Sequence, residues 1–200
     1  VSQIAGIIPL GTSMDYESQE SRDLGCWDAP SDLTDMIDFL TTNETVSATF
    51  ELPQKYADFL IDIGFGKSAT DKDRDYWRKE IAHHYSGDDG RRRARMAAIN
   101  LRDRDGLHGR LFDVRCPVLW LHGTEDPVYS VKNAEREIKK FVNSPDAQLR
   151  VLEGGEHFLS FSHPKDVDAA LVEFVGKYGK AQVEGDVDGS SRVETSVHSE

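Results

Sequence analysis

From residue 114 onward the chain alternates strand, helix, strand, helix, and that order leaves little choice of architecture. Two strands joined by a helical crossover lie parallel, because the helix returns the chain to the same end of the sheet. Pro117-Val118-Leu119-Trp120-Leu121 is a continuous apolar run, which suits a strand covered on both faces. Val131, Ala134, Ile138, Phe141 and Val142 place an amphipathic helix after it, and residues 148–152 form the next strand. The last helix is the clearest: Pro164 in its first turn, then Val167, Ala170, Leu171, Phe174, Val175 and Tyr178 on one face, then Gly179 as the stop. The class is α/β, and no internal repeat is evident.

Upstream, residues 3–11 form an apolar run closed by Gly11, suited to another parallel strand, with Pro9 confining it to an edge or to its own last residues. Four short helices are then expected. Leu33, Ile37 and Leu40 follow Ser31 as an N-cap, and Tyr56, Phe59, Leu60 and Ile63 follow Pro53. Trp77, Ile81 and Tyr85 form a stripe on a third helix that starts at Thr70 or Asp71, and Met96 and Ile99 are the apolar contacts of a fourth. Four helices exceed what a crossover needs and read as a lid. The expected organisation is a core strand over 1–13, a helical cap over 14–104, an α/β core over 105–179 and a disordered acidic tail over 180–200.

Composition narrows the function classes. A net charge of −12 argues against a nucleic-acid binder, whose affinity is built from clustered Lys and Arg. The local exception, Arg91-Arg92-Arg93-Ala94-Arg95, follows Asp88 and Asp89 and reads as a solvated helix face. No run approaches the roughly 18 apolar residues of a membrane span. Mean hydropathy is −0.54, and Cys26 and Cys116 are isolated, so the chain reads as a cytoplasmic protein in a reducing compartment. It opens Val1-Ser2-Gln3-Ile4, without Met or a signal segment, and so reads as continuing upstream.

Functional groups in a parallel sheet gather beyond the carboxyl ends of the strands, where the connecting loops meet. Asp126 follows one such end and His157, preceded by Gly154-Gly155-Glu156, follows the next. An imidazole takes a proton from a hydroxyl and returns it to a leaving group when a carboxylate fixes its tautomer, so Asp126 and His157 are the candidate catalytic pair. His122 is expected to hydrogen-bond the loops around Asp126. His83-His84 is read as surface or cap packing, since adjacent helical residues point in different directions. Trp27, Trp77, Phe50 and Phe65 are read as cap aromatics, one or two of them lining an apolar substrate pocket.

Several segments resemble the acid and histidine segments of the α/β-hydrolase superfamily. They are His122-Gly123-Thr124-Glu125-Asp126-Pro127-Val128, then Gly154-Gly155-Glu156-His157-Phe158-Leu159, then His163-Pro164 opening a terminal helix. Leu111-Phe112-Asp113-Val114-Arg115-Cys116-Pro117 resembles that family's lead-in to the acid-bearing strand. The resemblance implies the C-terminal part of an incomplete α/β-hydrolase fold with a helical cap insertion. Asp126 would be the acid and His157 the base, acting on a small-molecule acyl substrate without cofactor or metal, in the manner of hydrolases of fungal toxin and polyketide pathways. That family also contains dehalogenases, epoxide hydrolases and acyltransferases.

Its serine lies in a G-x-S-x-G turn, and the sequence contains none. Ser13 stands in the family's chain order, but Asp15 occupies the position where that turn needs Gly, and Met14 begins no helical stripe. Ser68 lies between expected helices. The expectation is that the nucleophile was encoded upstream, that the partner is a chain supplying the missing N-terminal half or a second copy in a homo-oligomer, and that this chain alone is inactive. The alternative is a non-catalytic, hydrolase-like binding protein.

Overall fold

The computed structural model describes residues 4–42 and 48–179. The Gln3 end of the first expected strand and the tail 180–200, expected to be disordered, lie outside the described residues. The elements in chain order are α1 (Gln19–Asp23), α2 (Ala29–Asp32), α3 (Thr34–Thr41), α4 (Gln54–Phe65), α5 (Asp71–His84), α6 (Gly87–Asp103), β1 (Val118–Gly123), α7 (Val131–Glu137), β2 (Ala147–Leu152), α8 (Leu159–Ser162) and α9 (Pro164–Tyr178).

β1 and β2 are parallel, with Val118 opposite Ala147 and Gly123 opposite Leu152. Every residue of β1 is buried, because both of its faces are covered. Leu119 and Leu121 pack against Leu159, Val167, Ala170 and Phe174 of α8 and α9, while Val118 and Trp120 pack against Ala134, Phe141 and Leu111 on the α7 side. That alternation is the period of two of a strand, and it makes β1 the middle layer of the core.

The apolar run before Gly11 lies along the other edge of β1 as two isolated parallel bridges, Ile7 with Val118 and Leu10 with Leu121. Ile7 donates to Pro117 and Gly11 to Leu121, while Leu119 donates to Ile7 and Leu121 to Pro9. The rung between Ile7 and Gly11 is missing because Pro9 has no N–H. An edge segment with one donor removed is therefore extended and paired without forming a regular strand.

The expected helices form, with boundaries moved by local chemistry. The first begins at Ala29 with Pro30 in its first turn and Asp28 before it, so Ser31 lies inside a helix and is not the cap. It breaks at Leu33, but Leu33, Ile37 and Leu40 remain the buried face. Thr70 caps α5 through a reciprocal pair with Asp73. Arg91 corrects the reading of its run as a solvated face: it is buried, stacked over Phe39 and Phe50, and its Nη2 donates to the Phe39 carbonyl and the Thr42 hydroxyl. Only Arg92 and Arg93 of that run are exposed. Met96 is 65% exposed; Ala94 and Ala98 make the cap contact, because α3 approaches too closely for long side chains. Val142 and Val175, expected on apolar faces, are also exposed, since the α7 helix ends at Glu137 and Val175 lies on the solvent side of α9.

The cap rests on the loop after β2. The Phe158 N–H donates to Gly64 O at 2.9 Å, and the buried Glu156 carboxylate accepts the Lys67 and Ser68 N–H groups at 2.6 and 3.2 Å. Gly64 and Gly66 have no room for a Cβ, which would collide with the Phe158 ring and the Glu156 carboxylate respectively. Removing that carboxylate leaves two N–H groups short of a charged acceptor, at a cost of about 1–3 kcal/mol. In Glu156→Ala, amide exchange at Lys67 and Ser68 is expected to accelerate roughly tenfold or more while β1 amides keep their protection. Unchanged exchange at those two amides contradicts this account of cap docking.

At the far end, Asp146 ties α9 to β2. Its Oδ2 accepts from Lys177 Nζ at 2.8 Å and from the Tyr178 hydroxyl, and its Oδ1 from Gln148 Nε2 at 2.8 Å. These bonds, with that from Lys177 the largest, pull the Asp146 carboxyl from 3.8 down to about 2. A depressed folded-state value stabilises the fold above the ordinary value, and that stabilisation is lost as pH falls toward 2. The stability difference between wild type and Asp146→Asn, read from urea midpoints, is therefore expected to shrink between pH 4 and pH 2. A constant difference across that window contradicts the assignment.

Candidate active site

The turns after β1 and β2 are stitched together. Thr124 N–H donates to Leu152 O at 3.1 Å, Glu125 N–H to Gly155 O at 2.9 Å, and Gly154 N–H to the Thr124 hydroxyl at 2.8 Å. Gly123 and Gly155 meet backbone to backbone, and a Cβ on Gly123 would overlap the Gly155 carbonyl. Gly154 has φ +73°, a conformation glycine adopts without steric penalty. The two loops so joined bring Asp126 and His157 together from 31 residues apart.

Asp126 is fully buried at its side chain. Its Oδ1 accepts the N–H groups of Val128 and Tyr129 at 2.8 and 3.1 Å, and its Oδ2 lies 3.1 Å from His157 Nδ1. An ionised carboxylate is acceptor-only, so Nδ1 carries the proton and Nε2 keeps its lone pair. Among the described residues no group hydrogen-bonds Nε2, and the ring, 19% exposed, stands on the wall of a cavity. A carboxylate locked by two backbone donors and an imidazole with one free nitrogen can accept a proton and hold the resulting imidazolium.

The surroundings brace this pair. Gly11, with φ +48°, ends the first segment against it, where a Cβ would strike the His157 carbonyl. His122 is completely buried; its Nε2 donates to Tyr129 O at 2.9 Å and lies 3.8 Å from Asp126 Oδ2. Tyr129 is gripped at its other end as well. Its hydroxyl donates to Glu17 Oε1 at 3.0 Å and accepts from Arg104 Nη2 at 2.7 Å, while burial pushes the phenol up and keeps it a neutral donor. Glu17 is 3% exposed and has φ 57°, the one positive value at a non-glycine residue among those described. Strain at a buried carboxylate beside a candidate site is tolerated only where neighbours over-determine it.

The cavity measures about 800 Å³ and opens between cap and core. Trp27, Phe65 and Trp77 line it, three where one or two were expected, whereas Phe50 lies elsewhere, packed on Phe39 and under Arg91. Phe158, next to His157, and Phe161 both stand edge-on to Phe65.

Neither alternative serine is brought to His157. The Ser13 hydroxyl donates to Glu137 Oε1 and accepts from Asn133 Nδ2 and the Asp15 N–H, all at 3.1 Å, so its hydrogen-bonding capacity is taken up against α7. Ser68 sits at the cap corner that holds Glu156. His83 and His84 are exposed on α5, and Glu80, one turn earlier, lies 3.7 Å from His84. Asp15, His108 and Glu137 bring ligand atoms within 4.8 Å of one another, but His108 already lies between the carboxylates, with Nε2 2.7 Å from Glu137 and Nδ1 4.0 Å from Asp15. Burial works to raise the Asp15 carboxyl, yet hydrogen bonds from Ser18 and the Tyr16 N–H, with the charges of His108 and Arg136, leave it below its ordinary value.

The structure brings together Asp126 and His157, the pair the sequence pointed to, and His122 hydrogen-bonds the loop of Asp126 as expected. Sequence reasoning missed the contacts among Glu17, Arg104 and Tyr129, which no spacing rule connects. It also missed the part of Glu156, although that residue stands inside the quoted histidine segment.

No protein-family model matches the sequence, and comparison with curated proteins gave no match. Solved structures do resemble this one. An esterase from Exiguobacterium antarcticum superposes with a TM-score of 0.65 at 18% identity, over 88% of this chain and 58% of its own. A hydrolase from Oleispira antarctica gives 0.64 at 17% over 87% and 57%, and a bromoperoxidase from Bacillus anthracis 0.62 at 17% over 88% and 59%. The chain thus spans less than three fifths of the length of these structures. At such identity the likeness is one of architecture: residues 4–179 have part of the α/β-hydrolase fold, with a parallel sheet and a helical cap.

Proposed function

We infer that this chain contributes the acid, the base and the cap of an α/β-hydrolase-type enzyme acting on an ester, thioester or related acyl compound. The observation that carries the reading is the Asp126–His157 pair, with a fully buried carboxylate 3.1 Å from Nδ1 and a free Nε2 on a cavity of about 800 Å³. In this reading Nε2 removes the proton of a serine hydroxyl as it attacks the acyl carbon, Asp126 stabilises the imidazolium, and the same proton passes to the leaving group. The size and apolar lining of the cavity support a small metabolite, of the kind made in secondary metabolism. The free cysteines Cys26 and Cys116 support a cytoplasmic setting, and no helix among the described residues is long and apolar enough to cross a membrane.

The nucleophile and oxyanion donors belong, in this proposal, to sequence beyond these 200 residues or to a partner chain. The edge of residues 5–10 that faces away from β1 is where a further strand would pair. A second reading, a non-catalytic hydrolase-like binding protein, is favoured by one observation: the Ser13 hydroxyl is committed to Glu137 and Asn133.

Two measurements separate the readings. In the protein that carries the serine, His157→Ala is expected to lower kcat/KM for nitrophenyl ester hydrolysis on the order of 10⁴-fold with little change in KM. Survival of hydrolysis sinks the catalytic reading. A fluorophosphonate probe is expected to label that protein and to leave the 200-residue chain unlabelled; labelling of the short chain that disappears in Ser13→Ala would make Ser13 the nucleophile after all.

A further inference from the structure

The cavity beside His157 is lined mainly by apolar and aromatic groups, with the hydroxyls of Thr12, Tyr85, Tyr129 and Ser160 on lining residues, and one permanently charged side chain stands on its wall. Arg104, which caps the C-terminal end of α6, is that residue. Its guanidinium is engaged along one edge only. Nε donates to Glu17 Oε2 at 3.1 Å, and Nη2, ion-paired with Glu17 Oε1, donates to the Tyr129 hydroxyl. A guanidinium has five N–H donors in a rigid fork, and this side-on arrangement engages Nε and Nη2. The two on Nη1 have no acceptor among the described residues.

The engaged edge cannot let go cheaply. Glu17 is buried, and removing its cation leaves an uncompensated charge. The fork is therefore held in one orientation, on a residue that lines the cavity. Pairing with Glu17 also cancels the charge of Arg104, so what the cavity presents is an oriented pair of strong donors without net charge. A neutral oxygen satisfies such a pair, whereas a ligand carboxylate would be drawn next to Glu17 without a cation of its own. The same cavity is lined by flat apolar groups: Phe65 and Trp77 stack at 4.9 Å, and Phe158 and Phe161 present their edges to Phe65.

We propose that Arg104 Nη1 is the polar recognition element of this cavity, and that its ligand is a neutral oxygen acceptor, a ketone, ester or lactone carbonyl, carried on a flat apolar body. The proposal rests on the reading of the cavity as the substrate site, and it names a carbonyl other than the one attacked. Arg104 is thus a specificity-determining residue, distinct from Asp126 and His157.

The test uses the 200-residue chain and three naphthalene probes of nearly equal shape: acetylnaphthalene, ethylnaphthalene and naphthoate, followed by tryptophan fluorescence. The ketone is expected to bind about tenfold more tightly than the hydrocarbon, and naphthoate more weakly than the ketone. In Arg104→Lys, which keeps a cation for Glu17 but lacks the fork, the ketone's advantage is expected to fall to within about twofold. Should that variant not fold by circular dichroism, the double variant Glu17→Gln with Arg104→Gln removes both charges together and carries the same expectation. Equal binding of ketone and hydrocarbon to wild type, an advantage that survives in the variant, naphthoate as the tightest ligand, or no binding of any probe by about 1 mM would each overturn the proposal. None of the probes holds a scissile bond, so these outcomes bear on Arg104 alone, while ester hydrolysis in His157→Ala bears on the reaction.

Discussion

The close approach of two backbones, at Gly123 and Gly155, is the constraint on which the rest of the site depends. Neither position has space for a side chain, and the turns they belong to exchange three hydrogen bonds. Parallel strands bring their carboxyl ends to the same edge of a sheet, but only to within a strand spacing of each other. The glycine contact closes the remaining distance, so that a carboxylate on one loop and an imidazole on the next meet at hydrogen-bond length. Asp126 is then locked by backbone N–H groups of its own turn, and His157 has one orientation open to it.

The site is also where cap and core are joined. Glu156 and Phe158, on either side of His157, hold the corner after α4. Glu17, Arg104 and Tyr129 join the end of α6 to the turn that carries Asp126. The position of the cap and the geometry of the acid–base pair are thereby coupled through a few residues, and the cavity between them takes its shape from both. The buried charges in these contacts are compensated in place, by Arg104 for Glu17 and by backbone donors for Glu156, which is the condition for keeping a charge away from water.

Much of this was legible in the amino-acid order. The apolar run through Trp120, the stripe from Val167 to Tyr178 and the glycines before His157 mark a parallel sheet, its covering helix and a sharp turn, and each is a local pattern. Errors fell where a side chain's surroundings come from elsewhere in the chain. Arg91 looks solvated beside Arg92 and Arg93, yet it is stacked over the Phe39 and Phe50 rings, which come from elsewhere in the chain. Met96 looks like a packing residue, but α3 comes close enough that Ala94 and Ala98 make the contact. Ser31 looks like a cap, and the helix starts before it because Asp28 and Pro30 make a better first turn.

By itself the sequence determined the α/β class, the two strand ends that carry Asp126 and His157, and the absence of a G-x-S-x-G turn, because periodicity and turn chemistry act over a few neighbouring residues. Only the tertiary structure decided that Asp126 and His157 touch, that the Ser13 hydroxyl is turned to Glu137 and Asn133, and that Arg104 lines the cavity while its Nε and Nη2 are held by Glu17 and Tyr129. Those outcomes depend on side chains 31 to 124 residues apart meeting in one place, and such distances are set by the packing of helices on the sheet.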